Sequence, residues 1–401
     1  LMQAVIFLLG FSLFVSLILV HEWGHYRAAR RGGVRVEEFG LGFPPRAYGR
    51  RTKGGMLLSL NWLPLGGFVR LKGEHDSDRR PGSFGAAPLK TKITIMLAGV
   101  AMNILVALLF FTLLALTGMP KAITPEVAGM EQFSVKSDTR IVRQEVRAGA
   151  VEPDSPAAAG GLLPRDRIIS LACKNCPDKN QPAPVNNRDE LKQATSRFAG
   201  RSVVLAIERK GRPMILGPVV LNSEESVRAS QNTGNPKGYL GVVTAELIIE
   251  RSTWSAPVTA VGFAGQLTWL TLKGVGTALA GLGSAIVGLV TGNPEARQNG
   301  QARASDQTGG IVAIAVILWE SGSLGLTFML FIIAVVSLTL AIINILPIPA
   351  LDGGRLFVTL LFKGIKKPLS RSLEEKIHGT GMVVLLTLFV LITIVDVRRF
   401  F

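Results

Sequence analysis

Four stretches of the chain are almost uninterrupted in apolar residues: Ala4 to Val20, Ile93 to Leu116, Leu324 to Leu346 and Met382 to Val395. A helix crossing about 30 Å of hydrocarbon needs about 20 residues. The second and third stretches meet that length alone, and the first and fourth meet it with their flanks. The first is not read as a secretory signal, because no basic residue precedes it and no small-residue cleavage site follows. It flows into a helix-compatible segment and is expected to be retained as a span. A fifth stretch, Ala256 to Thr291, is apolar and Gly-rich with the single charge Lys273. It is expected to form an interfacial or re-entrant helical pair, because one more crossing would invert the spans after it.

Between the spans the pattern changes. Met56 to Leu60 and Phe68 to Leu71 flank Asn61-Trp62-Leu63-Pro64-Leu65-Gly66-Gly67, which predicts an apolar hairpin between basic segments. Residues 151–169 place a small-residue helix start before a strand. Residues 187–198 suit a helix, Ser202 to Glu208 alternates like a strand, and Val219 to Pro236 is polar like a linker.

Composition sharpens this picture. Of 401 residues 48% are hydrophobic and only 18% charged, against about 25% charged in a soluble domain. Disorder, collagen and disulfide scaffolds are excluded, the last by a count of two Cys. The net charge of +16 is uneven. Residues 26–92 hold 14 Lys/Arg against five acidic residues, whereas residues 119–310 hold 22 against 17. Lys363, Lys366, Lys367, Arg371 and Lys376 follow the third span. The positive-inside rule therefore puts residues 26–92 and 355–376 in the cytoplasm and the middle region outside. The charge reports orientation and is not a nucleic-acid footprint.

Against this apolar background the ionisable residues stand out, because lipid makes them costly. His21-Glu22-Trp23-Gly24-His25 ends the first span. On a helix, i and i+4 share a face, so both imidazoles reach one ion, and the Glu between them is placed to take a proton from an attacking water. A catalytic zinc takes three protein ligands. The candidate third is Asp352, in Asn344-Ile345-Leu346-Pro347-Ile348-Pro349-Ala350-Leu351-Asp352-Gly353-Gly354-Arg355. Its two prolines break the third span at the same depth as His21 and His25. Alone, Asp352 reads equally well as a cap on the next helix.

These two motifs together resemble the site-2 protease family of intramembrane zinc metalloproteases, in its bacterial RseP-type branch. Further similarity lies in Glu38-Phe39-Gly40 with Gly42-Phe43-Pro44, in Pro64-Leu65-Gly66-Gly67-Phe68-Val69, and in Leu97-Ala98-Gly99 with Asn103. The resemblance implies His21, His25 and Asp352 as ligands of Zn2+, Glu22 as general base, and Asn344 as a substrate-binding residue near the metal. Val100, Pro45 and Arg355 depart from the common pattern without removing a ligand. The implied fold is a polytopic α-helical membrane protein with four transmembrane helices, a membrane-associated β-hairpin or sheet and one extracytoplasmic PDZ-like α+β domain.

On this reading residues 1–92 hold the first span, the metal motif and the membrane-dipping β region, and 93–118 the second span. Residues 119–222 form the PDZ-like domain, 223–322 a linker with interfacial helices, and 323–401 the last two spans with the third ligand. The expected substrates are single-span membrane proteins, cut in regulated intramembrane proteolysis, for example of a membrane-bound anti-sigma factor. The expected location is the bacterial inner membrane, with the lipid bilayer as partner, no nucleic acid, and a peptide C-terminus as ligand of the PDZ-like domain. A membrane metal transporter and a catalytically inactive PDZ-bearing scaffold are the rival classes. Glu22 and the outer module count against the first, and the complete ligand set against the second. Cys173 and Cys176 read equally as a local disulfide or two thiols. His75 and His378 read as surface residues.

Overall fold

The structure, a computed structural model, describes residues 2–174, 176, 181–232, 236–295, 298–299 and 311–400. Along the chain, α1 (Met2–Arg31) leads to β1 (Val36–Arg51), β2 (Leu57–Leu71) and α2 (Leu89–Thr117). Then come β3 (Met119–Pro120), α3 (Pro125–Ala128), β4 (Arg140–Val151), α4 (Pro156–Ala159), β5 (Arg167–Cys173) and β6 (Ala183–Pro184). They are followed by α5 (Arg188–Arg197), β7 (Ser202–Arg209), β8 (Arg212–Val220), α6 (Glu224–Ser230) and β9 (Val242–Arg251). The chain continues as α7 (Ala256–Thr291), α8 (Ile311–Leu324), α9 (Leu326–Ile345), α10 (Asp352–Gly364) and α11 (Arg371–Phe400). Two compact units result: a helical unit of 1–117, 133–135 and 254–401, and a sheet unit of 118–132 and 136–253.

In the helical unit, the described residues include five helices long and apolar enough to cross a membrane, within α1, α2, α7, α9 and α11. One of them differs from expectation. Residues 256–291 form a single continuous helix of 36 residues, not a pair; at 1.5 Å per residue it is about 54 Å long. Its glycines lie within the helix, and Gly292, at φ 68°, ends it in the left-handed conformation.

Close packing sets the helices. A Cβ on Gly24 of α1 would overlap Ala98 O and Met102 of α2, so the two backbones meet there. The Phe111, Phe263 and Phe331 rings tie α2, α7 and α9 together, with centroids 5.1–6.2 Å apart. Ser337 of α9, fully buried, donates to Asn103 O of α2 at 2.9 Å. Buried Asp396 of α11 accepts from Ala313 N in the first turn of α8 at 3.0 Å, where a carboxylate complements the helix dipole.

β1 and β2 pair antiparallel, and their register departs from the expected hairpin. β2 runs through Asn61–Gly67 as strand, and its partner is β1. The residues Glu38–Leu41 have partners on both sides, Leu57–Leu60 and Gly67–Arg70. Asn61 explains part of this: its Nδ2 donates to Gly42 O at 2.9 Å, and its side chain thereby holds the bend of β1.

The sheet unit orders its strands β3-β9-β4-β5-β7-β8, with β6 on β5. Val146, Ile168, Leu171, Phe198, Val203, Leu205 and Ile207 are fully buried beneath it. β9, in sequence taken as linker, pairs with β4 over Val242–Arg251 and completes the sheet. Buried Glu145 receives hydrogen bonds from Arg143 and Arg147, with Arg167 also close. Burial alone would raise its pKa, but these guanidinium contacts outweigh burial and hold it below the ordinary carboxylate range. Asp166 accepts two bonds from Arg209, at 2.7 and 2.8 Å, and one from Leu163 N, fixing the turn before β5. Cys173 and Cys176 are joined in a disulfide.

Candidate metal centre

The first two donors come from one helix. His21 and His25 sit one turn apart near the end of α1, 8% and 9% exposed, with ring centroids 4.8 Å apart. The third arrives from the break after α9. Leu346 leaves the helix at ψ 148°, as the residue before Pro347 must. Pro347, Pro349 and Ala350 turn the chain, and Ala350 adopts φ 78°. Asp352 then opens α10. It is not the cap: Leu351 holds that position without a side-chain hydrogen bond. Its carboxylate faces the imidazoles instead.

The geometry is a nearly equilateral triangle. Asp352 Oδ2 lies 3.1 Å from Nε2 of both His21 and His25, and the two Nε2 atoms are 3.1 Å apart. Donors around a tetrahedral zinc, each about 2.0–2.1 Å from the ion, lie about 3.3 Å apart. The set therefore fits a divalent ion, and among the described residues it is the one such group of His, Cys, Asp or Glu.

Surrounding groups aim the donors. His25 Nδ1 lies 2.7 Å from Ile95 O, so that nitrogen carries the proton and Nε2 keeps its lone pair for the centre. Asn103 places Nδ2 3.3 Å from His21 Nδ1, while its Oδ1 is buried and unpaired. A half-turn of the amide lets Oδ1 accept His21 Nδ1–H and serves His21 in the same way. Gly99 of α2 leaves the room: a Cβ there would overlap Nε2 of both imidazoles.

Glu22 lies beside this triangle, its Cγ over Gly67, where any side chain would collide with it. His21, Glu22, His25, Asn344 and Asp352 line one cavity of about 530 Å³, walled also by Gly66–Val69 of β2 and by Met382 and Leu385 of α11. All the residues singled out in sequence for chemistry thus face one space.

Others were not singled out. His378 is half-buried, not a surface residue; its Nδ1 accepts from Ala350 N at 3.3 Å, bracing the turn that carries Asp352. Arg355 lies over Phe84, 4.6 Å from the ring centroid, and donates to Glu74 O. His75 faces Glu374 and Glu375 of α11 at 3.8 and 3.4 Å. The signal for His378 was its place one helical turn before the last apolar stretch, where a ring is unlike its neighbours.

Comparison with known proteins follows the same lines. The model of peptidase family M50 matches residues 9–388. A candidate zinc metalloprotease of Clostridium perfringens is 27% identical over 396 residues, covering 99% of this chain and 98% of its own. Another, of Rhizobium meliloti, is 29% identical and covers 94% and 92%. Protease RseP of Yersinia pestis is 27% identical over 455 residues, covering 96% of each. The apolar helices and these relatives together make the chain a multi-pass membrane protein. Because the family match takes in both His, Glu22 and Asp352 and nearly the whole sequence, the chain belongs to peptidase family M50.

Proposed function

We propose that this protein is a zinc metalloprotease that cuts membrane-spanning substrates within the bilayer. The observation that carries the reading is the 3.1 Å triangle of His21, His25 and Asp352 with Glu22 beside it in one cavity. In this reading those three residues hold the ion. When bound, zinc supplies a Lewis acid that activates water and polarises a carbonyl. Glu22 takes the proton of the attacking water on its carboxylate and returns it to the leaving amine nitrogen.

A substrate helix hides each carbonyl in its own hydrogen bonds, so it must open before it is cut. Gly66–Val69 line the cavity beside Glu22, and Gly67–Arg70 pair with β1 along one edge. The opened substrate adds as a further strand along the other edge. Asn344, which lines the same cavity, holds its backbone.

In the same reading the sheet unit is a PDZ-like module outside the membrane that captures a chain terminus. Four helices cross the bacterial inner membrane. We leave α7 out of the crossings, because a fifth would carry Lys363–Arg371 to the outer side against the positive-inside rule. The natural substrate class is a single-span signalling protein such as a membrane-held anti-sigma factor.

The test compares purified protein and Glu22→Gln on a panel of single-span substrates. Wild type is expected to cut at least one, and Glu22→Gln to bind metal equally and cut about 10²–10⁴ times more slowly. A wild type that holds zinc but cuts nothing overturns the reading, and zinc uptake into vesicles would then point to transport. A reporter fused after Thr291 is expected outside the cell; a cytoplasmic signal overturns the four-crossing arrangement.

A further inference from the structure

A second concave site lies away from the metal centre, on the other face of α1. Arg27 and Arg31 of α1 and Lys90 of α2 stand over a groove of about 620 Å³ between the two helices. Its floor is apolar, built from Leu97, Ala101 and Met102, and no acidic residue lines it. That volume falls in the range of ligand sites, about 300–1,000 Å³.

Two close approaches make the groove. Gly24 rests on Ala98 O, and Gly32 rests on Thr91 so tightly that a Cβ would overlap its methyl. Arg27, Arg31 and Lys90 line the groove together with these contact points. Trp23, 44% exposed, lies beside it with the Arg27 guanidinium 5.0 Å from its ring centroid. Among the described residues, none of Arg27, Arg31 and Lys90 has a salt-bridge partner, whereas nearby Lys92, on the other face of α2, pairs with Asp76. The positive-inside rule accounts for basic residues at this end of the helices. It does not account for their convergence over a concave apolar floor.

We propose that this groove binds an anionic phospholipid, its phosphate held by Arg27, Arg31 and Lys90 and an acyl chain laid along Leu97, Ala101 and Met102. The charge is complementary to a phosphodiester, and the apolar floor at the membrane boundary suits the chain attached to it. Arg27 also keeps its stacking on Trp23, a residue type that settles at the headgroup level. The site is distinct from the cavity of Glu22, so its occupancy and proteolysis are separable.

The full chain, delipidated in a neutral detergent, is titrated with phosphatidylglycerol and with phosphatidylcholine and followed by native mass spectrometry. Phosphatidylglycerol is expected to bind at least tenfold more tightly. The triple change Arg27→Gln, Arg31→Gln, Lys90→Gln should lose that preference. Ala101→Leu, which fills the floor and keeps every charge, should weaken binding by a similar factor. The triple Arg50→Gln, Arg51→Gln, Lys53→Gln removes equal charge from the β1–β2 turn and should leave binding unchanged. Metal content and helical circular dichroism establish that each variant is folded. Equal binding of the two lipids, or equal loss in both triples, overturns the proposal. So does displacement of the lipid by glycerol phosphate at equal concentration, which would mean a phosphate site without a place for the chain.

Discussion

His21 and Asp352 are 331 positions apart in the chain, and Nε2 of one lies 3.1 Å from Oδ2 of the other. Neither atom reaches that place by local structure alone. Asp352→Asn keeps the side chain's shape but removes the charged donor. Its expected result is at least a hundredfold loss of zinc affinity with helix content unchanged, measured by competition with a chromophoric chelator. Glu22→Gln is expected to hold the metal normally.

Gly99 touches the same atoms from α2. Gly99→Ala puts a methyl group against both Nε2 atoms, which cannot be accommodated without parting α1 from α2. Purified Gly99→Ala is expected to carry less than about a tenth of the wild-type zinc, by elemental analysis. Ala98→Gly, one position away and off the centre, is expected to keep it.

Asn103 acts through His21. Metal ligands commonly lose about 10–100-fold in affinity when the group that orients them is removed. Asn103→Leu is expected to fall in that range and to shift the visible spectrum of the Co2+-substituted protein. Asn103→Asp keeps an acceptor and is expected to recover most of the affinity. Unchanged spectra in both variants would rule out a role in aiming His21.

Glu145 gives the sheet unit a defined response to acid. Its folded pKa is depressed, so its stabilising contribution is complete above the unfolded glutamate value of about 4.3. It is lost as pH falls through the lower folded value. The unit's melting temperature is expected to drop across that interval in scanning calorimetry. Glu145→Gln is expected to melt lower at pH 7 and to show a shallower drop in acid.

How much of this was legible in the sequence depends on whether the cause was local. His21 and His25 share a face by helical spacing, and Pro347 and Pro349 stop α9 wherever it packs, so the two halves of the centre could be read and matched by depth. Gly99 and Asn103 could not be placed, because each matters through a neighbour more than 70 residues away, and His378 acts on Ala350 across a helix break 28 residues earlier. Gly66-Gly67 reads as a turn by composition. In the structure Gly67 is strand, and it is glycine because Glu22 occupies the space above it. β9 was hidden for a similar reason. Its β4 partner lies about 100 residues earlier, and the polar stretch before it carries the signature of a linker. The helical pair expected over residues 256–291 rested on the charges that follow it, which say nothing of local continuity; a glycine lowers helix propensity by only about 1 kcal/mol, and the 36 residues form one helix.

The three donors do not share one support. His21 and His25 ride on a single helix and keep their spacing through any movement of it. Asp352 rides on a turn of two prolines and an alanine at φ 78°, braced by His378 of α11. Any shift of α10 or α11 that widens the cavity therefore draws away one donor and leaves the other two in register. On the proposed reading the grip on the metal would in this sense be hinged, with access for a bulky substrate and completeness of the coordination sphere set by the same turn.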